Sequence, residues 1–148
     1  MIDFKTLHVW ELGHKITLLI YKVTKKYPRE EIYELVSQMR SSSSSIPTNI
    51  AEGCGRGSDK DLARFLHMAM GSSSELEYQL YLSKDLDYIT EREYNEYYDL
   101  LIQLRKMLNA FITKIRQRDA KQKLQPKPKA EDKTSKEEDN DGNYKFKN

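Results

Sequence analysis

A single cysteine, six glycines and four prolines in 148 residues set the first limits on this chain. One thiol excludes an internal disulfide and a multi-thiolate metal site, and it fits a reducing compartment. So few glycines and prolines argue against a turn-rich β architecture and for helices. Long apolar runs are missing as well, since nothing approaches the roughly 20 residues that span a bilayer. The opening stretch MIDFKTLHVWELGHK has no basic segment followed by an apolar one. A soluble, cytoplasmic protein without membrane contact is expected. Net charge is nearly absent too, but the formal +2 hides a division. Residues 1–120 carry 17 Lys and Arg against 17 Asp and Glu, and residues 121–148 carry eight lysines against six acids. The basic excess belongs to the tail, so a nucleic-acid reading of the body depends on local clustering of cations.

What is present is helical periodicity. Val9, Leu12, Ile16, Leu19, Ile20 and Val23 step by three and four along one face. The pattern stops before Tyr27-Pro28, because a proline disfavours helix in the residue before it. Pro28 suits the first turn of a second helix, where Glu30 and Glu31 favour the positive end of the dipole. That second pattern runs into MRSSSSSIPTNIAEGCGRGS, which has the composition of a linker. The phase nevertheless survives: one line by sevens reads Ile32, Met39, Ile46, Gly53, and another reads Val36, Ser43, Ile50, Gly57. One helix from about 29 to 56 is therefore expected, bent at Pro47, which removes a hydrogen bond to the Ser43 carbonyl. Neighbouring hydroxyls are expected to solvate that carbonyl, and Gly55 and Gly57 to end the helix in left-handed geometry.

A third helix opens with Ser58 as N-cap and Asp61 three residues on, with Leu62, Phe65, Leu66, Ala69, Ser73, Leu76 and Leu80 on its inner face. A fourth opens with the capping pair Thr90 and Glu93. It continues through Tyr94, Tyr97, Tyr98, Leu101, Leu104, Leu108, Phe111, Ile112 and Ile115. Short connections make successive helices antiparallel, so the expected fold is all-α, an up-down-up-down four-helix bundle over residues 1–118. From Asp119 onward the chain has few apolar residues, two prolines and dense mixed charge, and a disordered tail over 119–148 is expected.

Folding the chain back about Gly57 sets Ser41–Ser45 opposite Ala69–Ser73, and folding it about Pro28 sets Gly13 beside Ser43. Small residues meeting at one level let helix axes approach toward about 8 Å. A tight waist with locally satisfied hydroxyls is one reading of this level, and a polar pocket or subunit contact is the other.

Candidates for chemistry are few. Glu11 and His14 form an E-x-x-H unit, but di-iron bundles need two such units plus two further carboxylates, so no metal and no cofactor are expected. Gly53-Cys54-Gly55-Arg56-Gly57 follows a helix and lacks a closing G-K-[ST], so it reads as a helix stop and not a phosphate loop. Cys54 sits near a helix C-terminus, the wrong end to stabilise a thiolate. No Ser-His-Asp or Cys-His order points to nucleophilic catalysis, and an enzyme is not expected. Asn49, Glu52, Glu75 and Glu77 read as a polar network pairing with Arg40, Arg56 or Arg64. Tyr78, Tyr81, Tyr88, Tyr94, Tyr97 and Tyr98 read as core or subunit interface, with stacking on unpaired bases as the alternative. Lys15, Lys22 and Lys26 line one face of the first helix, and Lys114, Arg116 and Arg118 close the fourth. Together with Arg40 they are the candidate phosphate-binding residues, against the plain reading of a solvated face.

FKTLHVW, YPREEIYELVSQMR, SIPTNIAEG and AMGSSSELEYQL, spread over residues 4–118, together resemble the four-helix-bundle proteins encoded within 23S rRNA intervening sequences. These are similar to the accessory variability determinant of diversity-generating retroelements. The motif residues are Ser45, Ile46, Pro47, Asn49, Glu52 and Gly53, then Gly71, Ser72 and Glu75. The resemblance implies a barrel-like homopentamer, and because the retroelement relatives are basic and bind nucleic acid it makes RNA association the leading reading of function. An adaptor or accessory module for another protein, for example a reverse transcriptase, is the alternative it implies. Two departures stand out. Ser41 and Ser42 occupy positions where the family often has a basic residue and an alanine, which removes positive charge beside Arg40, and the charged tail is longer than usual.

Overall fold

Helix formers and two well-built caps set the elements. In the computed structural model, which describes residues 1–125, the helices are α1 (His8–Val23), α2 (Leu35–Gly55), α3 (Asp59–Asp85) and α4 (Glu91–Leu124). Each runs antiparallel to the one before, so the all-α up-down-up-down bundle expected from the periodicity is the observed fold. The Ser58 hydroxyl accepts the Asp61 amide at 3.1 Å at the start of α3. At the start of α4 the capping box is complete: Glu93 N–H donates to Thr90 Oγ1, and Thr90 N–H donates to Glu93 Oε1, both at 3.1 Å. Each such cap is worth about 1 kcal/mol, because it satisfies a helix-end N–H that has no partner within the helix.

The core is aliphatic. Ile16 and Ile20 of α1, Met39, Ile46 and Ile50 of α2, Leu66, Leu76 and Leu80 of α3, and Leu101, Leu104 and Leu108 of α4 are all fully buried. Burial of each such side chain contributes about 1.5–3 kcal/mol.

Three boundaries differ from expectation. α2 begins at Leu35, not near residue 29; before it come a 3-10 turn, Arg29–Glu31, and a further turn. The reason lies in Glu31, whose carboxylate accepts the Tyr88 hydroxyl at 3.0 Å and the Leu35 amide at 3.3 Å. That side chain caps a later start and leaves Ile32 and Tyr33 facing solvent. Gly55 and Gly57 do not take left-handed backbone, since no glycine among the described residues has positive φ. α2 instead stops as Arg56 turns extended, with its amide on the Gly53 carbonyl at 3.2 Å. The left-handed position is Asp87, φ 60°, which ends α3 together with a bond from Tyr88 N–H to the Ser83 carbonyl at 2.9 Å. Finally, α4 continues through Asp119 to Leu124. The expected disorder of the tail concerns residues that, beyond 125, lie outside the described ones.

α2 passes through Pro47 without interruption. The carbonyl that Pro47 leaves unbonded, that of Ser43, accepts the Thr17 hydroxyl from α1 at 2.9 Å, so a residue on another helix, not a neighbouring serine, takes up the bond. Gly13 makes this docking possible, because a Cβ there would stand 3.2 Å from Ile46 Cγ2 and 3.6 Å from the Pro47 nitrogen.

Candidate functional site

The serine-rich level is a seam between helices. Ser42, Ser43, Ser73, Gln79 and Ser83 are buried, and each carries hydrogen bonds. Ser42 donates to Gln79 Oε1 at 2.6 Å, and Gln79 donates onward to Glu75 at 3.3 Å. Ser45 Oγ accepts from Ser72 and from Asn49 Nδ2, both at 2.9 Å. From α4, Arg105 reaches Ser73 Oγ and the Ser73 carbonyl, both at 3.0 Å, and pairs with Glu77 at 2.6 Å. Gly53 marks a close approach between α2 and α3, for an added Cβ would lie 2.9 Å from Phe65 Cβ and 3.0 Å from Leu62 Cδ1.

The motif residues thus fall into two groups. Ser45, Ile46, Pro47, Asn49, Gly53, Ser72 and Glu75 line or adjoin this seam. Glu52 points outward to Arg56 at 2.9 Å, and Gly71 is exposed with nothing within 4 Å of an added Cβ. Neither Asn49 nor Glu75 pairs with Arg40, Arg56 or Arg64. The arginine that does enter the network, Arg105, carried no sequence signal, since it stands beside Lys106 in LLIQLRKMLNAFI as one of two adjacent cations.

The seven candidate cations do not form one patch. Lys26 pairs with Glu93 at 2.6 Å where α1 ends and α4 begins, and Arg118 makes a bidentate pair with Asp59 where α4 ends and α3 begins. Glu93 and Arg118 are 25 positions apart on one helix, about 37 Å. Lys22 and Lys26 therefore lie at the opposite end of the bundle from Lys114, Arg116 and Arg118. Arg40 belongs to neither group. It donates to Thr24 Oγ1 at 3.0 Å, lies 4.8 Å from the centre of the Tyr21 ring, and closes the C-terminal end of α1. Lys15 lies in a groove between α1 and α4 that also holds Glu96 and Asp99.

The two ends differ in charge. The end made by residues 1–11, 52–67 and 110–125 carries nine Lys and Arg against six Asp and Glu, whereas residues 22–38 and 77–99 carry six against ten. At the basic end Asp59 is held below the ordinary carboxylate range by its hydrogen bonds to Arg118, and Asp119 pairs with Lys123 at 2.6 Å. Lys60, Lys114, Arg116 and Lys121 have no carboxylate partner among the described residues. The sequence reading took the α4 cations of this end but passed over Lys60, because its partners come together only when α3 and α4 pack.

The acidic end holds the tyrosines. Tyr94 lies between Tyr81 and Tyr98 at 5.9 and 6.0 Å, Lys84 sits over the Tyr81 and Tyr94 rings, and Tyr78 and Tyr81 face solvent. Tyr27, buried against Tyr88, leaves its hydroxyl without a partner, and burial pushes its pKa up to about 12. The E-x-x-H unit is split, with Glu11 beside His8 at 3.6 Å and the His14 ring stacked on Trp10 at 5.2 Å. Leu18 and Tyr21 continue that face of α1 into solvent. Cys54 is buried, and burial pushes its thiol pKa up. No helix among the described residues is long and apolar enough to cross a membrane.

The model of a family described as 23S rRNA-intervening sequence protein matches residues 5–110. The chain is also similar to the crystal structure of a protein of unknown function from the S23 ribosomal protein family of Bacteroides thetaiotaomicron. The two are 25% identical, with a TM-score of 0.66, over 71% of this chain and 95% of that one. No curated protein matches.

Proposed function

This chain belongs to the 23S rRNA-intervening sequence protein family, and on that premise we propose that it is a non-catalytic, RNA-associated bundle protein that holds phosphates at its basic end. The observation that carries the reading is the separation of charge between the two ends, with unpaired cations gathered where α3 begins and α4 ends. Catalysis finds no support in the buried polar groups, because those of the seam are bonded within or between helices. Phosphate recognition needs only cations with spare donors, and it is weakly discriminating between sequences. Assembly into a homo-oligomer, a pentamer by the family resemblance, would repeat the basic end around a ring and strengthen its field.

Fluorescence anisotropy with a single-stranded RNA 20-mer tests the reading. Four unpaired cations give a slope of about −3 for log affinity against log salt. Replacing Lys114 and Lys121 together by Gln is expected to weaken binding about tenfold and flatten that slope, while Lys15→Gln with Lys22→Gln has little effect. Absence of binding at low ionic strength would reject the reading.

A second reading, an adaptor for another protein such as a reverse transcriptase, draws on the Trp10, His14, Leu18 and Tyr21 face of α1, where apolar side chains are exposed. Nuclease-resistant capture of a co-encoded protein, lost on Leu18→Glu, is the result that favours it.

A further inference from the structure

Between the first turns of α3 and the last of α4 lies a groove with a cavity of about 400 Å³, lined by Lys60, Ala63, Arg64, His67, Ile115 and Arg116 together with Asp59 and Asp119. Resting on the RNA reading above, we propose that this groove is a pocket for one unpaired nucleotide. Its base lies over the floor and its phosphate meets Lys60 and Arg64.

Four features support the assignment. The floor is apolar, because Ala63 and Ile115 are both buried and present only aliphatic surface to the groove. One wall is made of two planar groups in contact: Arg116 Nη2 lies 2.8 Å from His67 Nε2. Planar side chains of these two kinds suit stacking on a base. Both lining acids are already neutralised, Asp59 by Arg118 and Asp119 by Lys123; of the two phosphate contacts, Arg64 shares its charge with Asp61 at 3.6 Å, and Lys60 has no carboxylate partner among the described residues. The volume lies near the lower end of the range of small-ligand sites, enough for a nucleotide and far too small for a duplex.

The partner chemistry follows. An apolar floor with a planar wall can contact a base face only when that base is unstacked and unpaired, whereas exposed lysines elsewhere at this end meet any phosphate. The groove therefore gives the basic end a preference for single-stranded over double-stranded RNA that charge alone does not supply.

The test compares three probes of equal phosphate number on the full chain: a single-stranded oligoadenylate, an RNA duplex, and an oligonucleotide with abasic sites. The single strand is expected to bind about tenfold more tightly than either of the others, the size of one base-stacking contribution. His67→Ala and Arg116→Gln are each expected to abolish that preference while leaving most of the duplex binding. Both side chains are exposed, and unchanged thermal unfolding would show that the fold survives. Equal binding of all three probes, or a preference that persists in both variants, overturns the pocket and leaves the RNA reading standing. Failure of every probe to bind at low salt overturns both.

Discussion

The middle of the bundle and its basic end are both dense in polar side chains, and they use them in opposite ways. In the middle, Ser42, Ser45, Ser72, Ser73, Asn49, Gln79 and Arg105 bond to one another or to backbone across α2, α3 and α4. Among the described residues the Tyr27 hydroxyl is the lone buried side-chain polar atom without a partner. At the basic end, by contrast, Lys60, Lys114, Arg116 and Lys121 stand without carboxylate partners among the described residues. Polar density is thus a poor guide to function. A group whose bonding capacity is used inside the fold specifies how closely helices approach. A group with capacity to spare can meet a ligand.

The comparison breaks first, and hardest, in the middle. Ser43 is fully buried beneath the Thr17 hydroxyl. Ser43→Leu is expected to lower stability by about 3 kcal/mol through overpacking, read as a lower urea midpoint at unchanged slope. The same change at an exposed basic-end position such as Lys114 should stay within about 0.5 kcal/mol.

Two motif glycines give a finer test. Gly53→Ala drives a Cβ to 2.9 Å from Phe65 Cβ and is expected to cost about 1–2 kcal/mol net of the better helix propensity. Gly71→Ala meets nothing within 4 Å and is expected to stabilise by about 0.5–1 kcal/mol. Opposite signs from one substitution type would separate helix contact from mere helix composition.

The smallest effects come from the ion pairs that clip the two ends. Hydrogen bonds from Arg118 lower the pKa of Asp59, and the bond from Lys26 chiefly lowers that of Glu93. Their stabilisation is complete above the ordinary carboxylate values of 3.8 and 4.5 and fades as pH falls below them toward the lowered values. Each pair is worth under about 1 kcal/mol because its cation is about half exposed. The stability difference between the parent chain and Asp59→Asn should therefore shrink from pH 7 to pH 3 in urea titrations.

Much of the fold was legible because its signals are local. The phase carried from Ile32 to Gly57 identified α2 despite its five serines, and Ser58 and Thr90 marked two helix starts by side chain–backbone bonds within three residues. What could not be read depends on contacts between helices. The start of α2 moved because Glu31 is held by Tyr88 from the far end of α3. Hairpin reflection about a single residue ignored the lengths of the turns, so Ser45 meets Ser72 and not the Ala69 that reflection places there. Gly71 looked equivalent to Gly53 in the motif, and only helix rotation separates them. Of the candidate cations, the groupings along single helices were visible in sequence. Their division between two ends became visible only once antiparallel packing had placed Lys26 and Arg118 at opposite poles.

Cys54 gives the molecule a built-in clock. Its thiol, on the last turn of α2, is buried beside the chain start, where the Ile2 amide reaches the Cys54 carbonyl at 3.4 Å. A buried thiol reacts through opening of this pole of the bundle, so the labelling rate reports the open population when reclosing is fast and the opening rate when the reagent outpaces reclosing. Because α3 starts and α4 ends at the same pole, a ligand seated there should slow the labelling. Occupancy of the basic end is thus readable as protection of a single sulfur atom.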